Sequence, residues 1–280
     1  MLPNLIVIGA PKAGTTSLHS YLTQHPQVGM AALKELSYFW REDWREQQAW
    51  YEAQFEFPGR ELSVRGESTP FYAAYPFRQN VPERMHELVP DVKLIYVVRD
   101  PIERLVSHFV QRQGDGGRTT FERFMEEYEQ PDNRIVCPSR YWLQIEQFMK
   151  VFDRSQLLVV DQHDLKTRRH ETLREVFRFI GVDDSFESPS FEVDLNTRAE
   201  KLGPSGLGAQ VWDRVLRPAG RLAPERVRSL VRKPVHRLLY RPIETPVLTA
   251  EMRERLGALL GPEVEALRRF TGKQFETWSV

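Results

Sequence analysis

Lys12 stands inside a short turn bounded by Gly9 and Gly14, and three hydroxyl residues, Thr15, Thr16 and Ser17, follow at once. Glycines at those two places let the backbone bend and approach a ligand, and the first N–H groups of a helix beginning at Thr15 have no intrahelical acceptor. A lysine charge, hydroxyl donors and a helix N-terminus together suit a phosphate-like anion. The bland alternative is a strand-to-helix turn with no ligand. Glu35 is the second chemical residue, in the run Lys34-Glu35-Leu36-Ser37-Tyr38-Phe39-Trp40. By residue type alone it is a solvated acid, a partner of Lys34, or a general base. The third is Arg99, which opens Arg99-Asp100-Pro101-Ile102-Glu103-Arg104-Leu105-Val106-Ser107. By residue type alone it is half of a local ion network with Asp100 or Glu103, or a cation at the edge of a cleft.

These residues need elements to position them. The apolar run Leu5 to Ile8 predicts a strand, and the helix after Gly14, with Leu18, Tyr21 and Leu22 on one face, ends near His25-Pro26 because proline cannot continue it. Lys93 to Val98 and Leu157 to Val160 read as strands buried on both faces of a parallel sheet. Asp100 suits a helix N-cap and Pro101 the first turn, which puts Arg99 at the carboxyl edge of its strand and Ser107 two turns along the helix. Leu62 to Gly66 is a further strand, running into Glu67-Ser68-Thr69-Pro70-Phe71-Tyr72, where Thr69-Pro70 turns the chain. Helices are expected over Trp44 to Phe55, Val81 to Val89, Phe121 to Tyr128, Pro138 to Phe152 and Asp164 to Ile180. A terminal pair follows, Thr249 to Leu260 and Pro262 to Phe270. The expected class is α/β: a P-loop-like parallel sheet flanked by helices, with a helical C-terminal region. One domain is expected across residues 1–280, with a basic helical segment at about 205–245 as a lid.

Composition narrows the partners. Lys+Arg and Asp+Glu are equal at 39 each, so no charge excess points to nucleic acid. The single cysteine, Cys137, excludes an internal disulfide and suits a reducing compartment, so a cytoplasmic location is expected. No run reaches the roughly 18 apolar residues of a membrane span. No His/Cys cluster or carboxylate pair has ligand spacing, so no metal is expected. From Arg214 to Arg241 nine Lys/Arg face one acid, Glu225. That segment is either a solvated basic face or a docking surface for an anionic or lipid-linked acceptor, with peripheral membrane contact.

Gly9 and Gly14 have the separation of the nucleotide-binding P-loop, G-x-x-x-x-G-K-[ST], but Thr15 follows the second glycine and the lysine stands two places before it. That displacement disfavours simple ATP or GTP hydrolysis. The loop resembles instead the 5′-phosphosulfate loop of sulfotransferases that use 3′-phosphoadenosine-5′-phosphosulfate (PAPS). Lys34 to Phe39 resembles the K-E-x-x-[YF]-F element of heparan-sulfate-type and related bacterial members, whose glutamate is the general base; Ser37 stands where those often carry histidine. Glu67 to Tyr72 is similar to their E-x-[ST]-P-x-Y element, with Ser68 where heparan-type members place a lysine on the phosphosulfate. Arg99 to Ser107 resembles the 3′-phosphate signature R-D-P-x-x-R-x-x-S.

The resemblance covers about residues 3–200. It implies sulfonate transfer from PAPS to a hydroxyl, less readily an amine, of a small-molecule, glycan or lipid-linked acceptor, with release of 3′,5′-ADP. Glu35 and Lys12 would be catalytic. Lys12, Ala13, Gly14, Thr15, Thr16, Ser17, Arg99 and Ser107 would hold the donor, joined by Arg198 or Lys201 from a loop that closes over the nucleotide. The competing readings are a P-loop kinase or NTPase and a non-catalytic nucleotide-binding protein.

Overall fold

Three uninterrupted apolar stretches become the middle and one edge of a five-stranded sheet: β1 (Leu5–Gly9), β4 (Lys93–Val98) and β5 (Leu157–Asp161). With β2 (Val28–Met30) and β3 (Val64–Ser68) they form the order β2-β3-β1-β4-β5, every neighbouring pair parallel. Every side chain of β1 and all but Lys93 of β4 are buried, which is why their sequences show no polar alternation. The computed structural model describes residues 1–114, 119–130, 133–193, 202–204, 240–242 and 245–280.

Helices cover the sheet: α1 (Thr15–Gln24), α2 (Gln48–Ala53), α3 (Val81–Leu88), α4 (Pro101–Gly114), α5 (Phe121–Glu126), α6 (Tyr141–Phe148), α7 (Gln162–Thr167), α8 (Arg169–Ile180) and α9 (Ala250–Thr271). A short antiparallel ribbon pairs β6 (Leu202–Pro204) with β7 (Tyr240–Pro242). Arg198, Lys201 and the basic segment up to residue 239 lie outside the described residues. No described helix is long and apolar enough to cross a membrane.

Register decides where the chemistry meets. Leu5 of β1 stands opposite Gly66 of β3 and Lys93 of β4, so the carboxyl ends of β3, β1 and β4 lie side by side. The chain leaves β1 for β2 and β3 on one side, then crosses to β4 and β5 on the other. The crevice beyond the end of β1 is therefore a topological switch point, the place where open parallel sheets take ligands. Gly9 is required there: a Cβ on it would stand 2.5 Å from Tyr96 Cε2 of the neighbouring strand.

Several elements differ from their sequence-based bounds, each for a packing reason. Strand β3 starts and ends two residues later than Leu62 to Gly66, because its end carries the polar Glu67 and Ser68, both buried. Helix α2 is shorter than Trp44 to Phe55; Trp44 is buried ahead of it, while Trp50 of the expected aromatic stripe is exposed. Pro138 lies in a single 3₁₀ turn (Cys137–Ser139), and α6 starts only at Tyr141. The helix expected over Asp164 to Ile180 is two, broken at Arg168 (φ −127°, ψ 47°). The first is capped by Asp161, whose carboxylate accepts the His163 N–H at 3.0 Å.

Conversely, the expected terminal pair is one helix, α9, running through Pro262. Glu263 is buried beside that proline, where it accepts from Arg140 Nε at 3.0 Å and from the Leu143 N–H at 2.8 Å. Leu256, Leu260, Val264 and Leu267 are buried on either side of it. This packing on both flanks offsets the roughly 3 kcal/mol that an internal proline costs.

Candidate active site

The turn after β1 closes on itself with the Ala13 N–H donating to the Ala10 carbonyl at 3.1 Å, while the Ala10 N–H reaches Val97 of β4 at 2.7 Å. Ala13 therefore faces inward and is fully buried. The N–H groups of Gly14, Thr15 and Thr16, at the open end of α1, donate to no backbone carbonyl among the described residues. Gly14 takes φ 98°, which suits glycine, whereas Lys12 holds φ 71° despite its side chain. Ser17 follows one position later, its N–H on the Gly14 carbonyl.

Glu35 comes to the same place by way of β3. Its N–H donates to the Ser68 carbonyl at 3.0 Å, and Lys34 Nζ reaches Thr16 Oγ1 at 2.7 Å and Glu35 Oε1 at 3.7 Å. The Glu35 side chain is half exposed. Glu35 and Ser37 both take positive φ, 63° and 60°; with Lys12 they make three of the five non-glycine residues that do so among the described residues. Such conformations are costly and persist where the surroundings over-determine them.

The surroundings here are built on Glu67, a residue whose role the sequence alone does not reveal. Its fully buried carboxylate accepts the hydroxyls of Tyr51 (2.6 Å), Thr69 (2.7 Å) and Tyr72 (3.0 Å). Burial pushes the Glu67 carboxyl up, and the three donors pull it back towards the ionised form. Thr69 Oγ1 then accepts the Ser37 N–H at 3.4 Å, and Tyr72 Oη accepts the Tyr38 N–H at 3.0 Å. One buried acid thus orients two hydroxyls, and those hold the backbone next to Glu35.

Lys34 and His19 were also missed by sequence reasoning, although Lys34 adjoins Glu35 in the motif. Burial lowers the Lys34 ammonium, opposed by Glu35. His19 Nδ1 lies 2.9 Å from Ser68 Oγ, and burial, then the Lys34 charge, lowers its pKa from 6.5 to about 4. The folded state therefore resists a proton that the unfolded chain accepts. This stability is fully present above pH 6.5 and is lost as pH falls from there towards about 4. Urea unfolding between pH 7 and pH 4.5 should show a loss on the order of 2 kcal/mol that His19→Gln removes; an equal loss in the variant would contradict the assignment.

Arg99 follows β4, the strand beside β1, and Ser107 lies on α4, the helix that comes next. The Arg99 carbonyl, just past β4, accepts the Tyr141 hydroxyl at 2.6 Å, and the Arg99 guanidinium pairs with Glu103 at 2.6 Å. The local ion pair is thus the arrangement formed; Glu103 is 63% exposed, so the pair is weak and exchangeable. Asp100 caps α4, accepting the N–H groups of Ile102 and Glu103 at 2.9 Å each. Ser107 is half-buried two turns along.

Arg104 ties this helix to the turn after β1. Completely buried, it donates to the Pro11 carbonyl at 3.3 Å, to Ser139 Oγ at 2.6 Å and to the Ile135 carbonyl, and burial lowers it to about 10. Among the described residues no group of His, Cys, Asp and Glu is placed to hold a metal ion.

The structure therefore brings the turn around Lys12, the Glu35 segment and Arg99 to the adjoining carboxyl ends of three neighbouring strands. Comparison with known proteins shows the family and the fold. The family described as the sulfotransferase domain matches residues 2–195. The human bifunctional heparan sulfate N-deacetylase/N-sulfotransferase 2 is 25% identical over 201 residues, covering 65% of this chain and 22% of its own. The membrane-associated sulfotransferase kil1 of Dictyostelium discoideum is 40% identical over 110 residues, 39% of this chain and 22% of its own. The chain thus spans about a fifth of the length of these relatives. A sulfotransferase of Alicyclobacillus acidocaldarius has the same fold over 100% of both chains, with a TM-score of 0.70 at 21% identity. With more than half of its length matched, the chain belongs to the sulfotransferase domain family.

Proposed function

We propose that residues 1–280 act as one domain that transfers a sulfonate group from PAPS to an acceptor hydroxyl, releasing 3′,5′-ADP. The observation that carries this reading is the meeting of Lys12, Glu35 and Arg99 at the ends of β1, β3 and β4. Neighbouring strands lie about 4.8 Å apart, so a single ligand of nucleotide size can reach all three. Bound PAPS supplies an activated sulfonate.

The chain's own residues do the rest. Lys12 and the N–H groups of Gly14, Thr15 and Thr16 stabilise negative charge gathering on the leaving phosphate, as preorganised donors in a partly desolvated site. Ala13 contributes by closing the turn, Ser17 by its place in the first turn of α1. Glu35 takes the acceptor proton as the acceptor oxygen bonds to sulfur and the sulfur–oxygen bond to the donor phosphate breaks. Lys34, seated between Thr16 and Glu35, adds the second cation at the donor end, where Ser68 brings none. Arg99 and Ser107 hold the 3′-phosphate, Arg99 by exchanging the exposed Glu103 for it.

The site needs no metal for these roles, and the reducing cytoplasm suits a chain with one buried cysteine. A P-loop kinase reading has less support. The residue after Lys12 is Ala13, so the hydroxyl that would follow a P-loop lysine and hold magnesium is missing at that place. Replacing Arg99 with alanine tests the assignment. Affinity for 3′,5′-ADP should fall about 10–100-fold, whereas 5′-AMP affinity changes little. Equal losses for both nucleotides would remove Arg99 from the 3′-phosphate site.

A further inference from the structure

The acceptor is what the donor site leaves open, and the segment after β3 speaks to it. Gln144 of α6 is buried and bridges two segments. Its Oε1 accepts the Tyr75 N–H at 2.7 Å, and its Nε2 donates to the Tyr75 carbonyl at 3.0 Å and the Cys137 carbonyl at 3.1 Å. The bridge fastens residues 75–78 to the turn that follows Arg134. As a result Arg134 sits over the Phe77 ring, 5.3 Å from its centroid, while the adjacent Arg78 sits over Trp40 at 4.2 Å.

Both arginines are exposed. Neither has a carboxylate partner among the described residues, unlike Arg41, Arg45, Arg123, Arg168 and Arg178, each paired with an acid. Neither charge is met by an acid, and Arg78 is lowered first by its partial burial and then by the Arg134 charge. The aromatic rings under them compensate in part.

This pair borders the reaction edge. Trp40 lies five residues past Glu35, and its ring packs on Tyr72 at 5.6 Å, the residue that holds the Tyr38 N–H. On the far side Phe71 packs on His108, next to Ser107 on α4, at 5.9 Å.

We propose that Arg78 and Arg134 form an oxyanion subsite for the acceptor, so that the acceptor carries a carboxylate, phosphate or sulfate besides its reacting hydroxyl; this rests on the sulfonate-transfer reading above. An anionic acceptor must approach the negative Glu35 and a multiply charged donor, and it needs a compensating cation to stay there. Guanidiniums meet an oxyanion with two parallel N–H bonds, which also orients it. The exposed Tyr75 ring offers a flat face for the rest of the molecule.

The test compares 4-nitrophenyl β-D-glucuronide, 4-nitrophenyl β-D-glucoside and 4-nitrophenyl β-D-glucoside 6-phosphate by calorimetry. Each is titrated into the full chain with and without saturating 3′,5′-ADP. At least one anionic probe should bind about tenfold or more tightly than the neutral glucoside, and which one does so separates a carboxylate from a phosphate acceptor. In the double variant Arg78→Gln/Arg134→Gln that preference should shrink to within about twofold, with 3′,5′-ADP affinity and thermal midpoint unchanged. No preference in the unmodified chain, or a preference that survives the double variant, overturns the proposal. Failure of 3′,5′-ADP to bind would strike the donor reading alone, since the titrations without it still report on the arginine pair.

Discussion

Glu35→Gln is expected to lower turnover by about 10²–10⁴-fold, the range supplied by a positioned proton acceptor, while 3′,5′-ADP binds as before. The substitution keeps the size of the side chain and removes its ability to accept a proton. It leaves the segment in place, because the bonds that hold it are made by backbone: the N–H groups of Glu35, Ser37 and Tyr38 go to Ser68, Thr69 and Tyr72. A fall in turnover therefore reports chemistry and not a displaced loop. Transfer of labelled sulfonate from PAPS, followed against acceptors drawn from a host extract, measures it, and calorimetry with 3′,5′-ADP checks the binding. Turnover equal to that of the unmodified chain would take Glu35 out of the reaction.

Lys12→Ala should slow the transfer step by about 10²–10³-fold, comparable to removing one preorganised donor from a developing anion. The expected loss is smaller than for Glu35, because the open N–H groups of Gly14, Thr15 and Thr16 remain and Lys34 is close by at Thr16. Alanine at φ 71° is also no worse placed than lysine, so the turn itself has no new backbone conflict. Single-turnover measurement with enzyme in excess separates the transfer step from product release. A full single-turnover rate in this variant would refute the role.

Much of this was legible in the residues. Strands β1, β4 and β5 are continuous apolar runs because both their faces are covered, and the Asp100-Pro101 cap marks the start of α4 by local backbone chemistry alone. The turn from Gly9 to Gly14 and the start of α1 at Thr15 are local in the same sense. What escaped was non-local. Glu67 looked like the polar residue that ends a strand; it is interior because Tyr51, sixteen residues earlier, and Tyr72, five later, bring their hydroxyls to it. Pro262 looked like a helix boundary, and only the packing of α9 on both flanks overrides it.

By itself the order of residues determined what each segment can offer: a lysine in a glycine-bounded turn ahead of a helix, an acid beside a lysine, an arginine ahead of a capped helix. Those are properties of neighbours in the chain. Only the tertiary structure decided that the three converge, since the sheet order β3-β1-β4 sets their ends side by side although they are tens of residues apart. It also decided that Ala13 is buried, that Lys34 reaches Thr16, and that Arg78 and Arg134 sit over the Trp40 and Phe77 rings, because each depends on contacts between segments that no local pattern records.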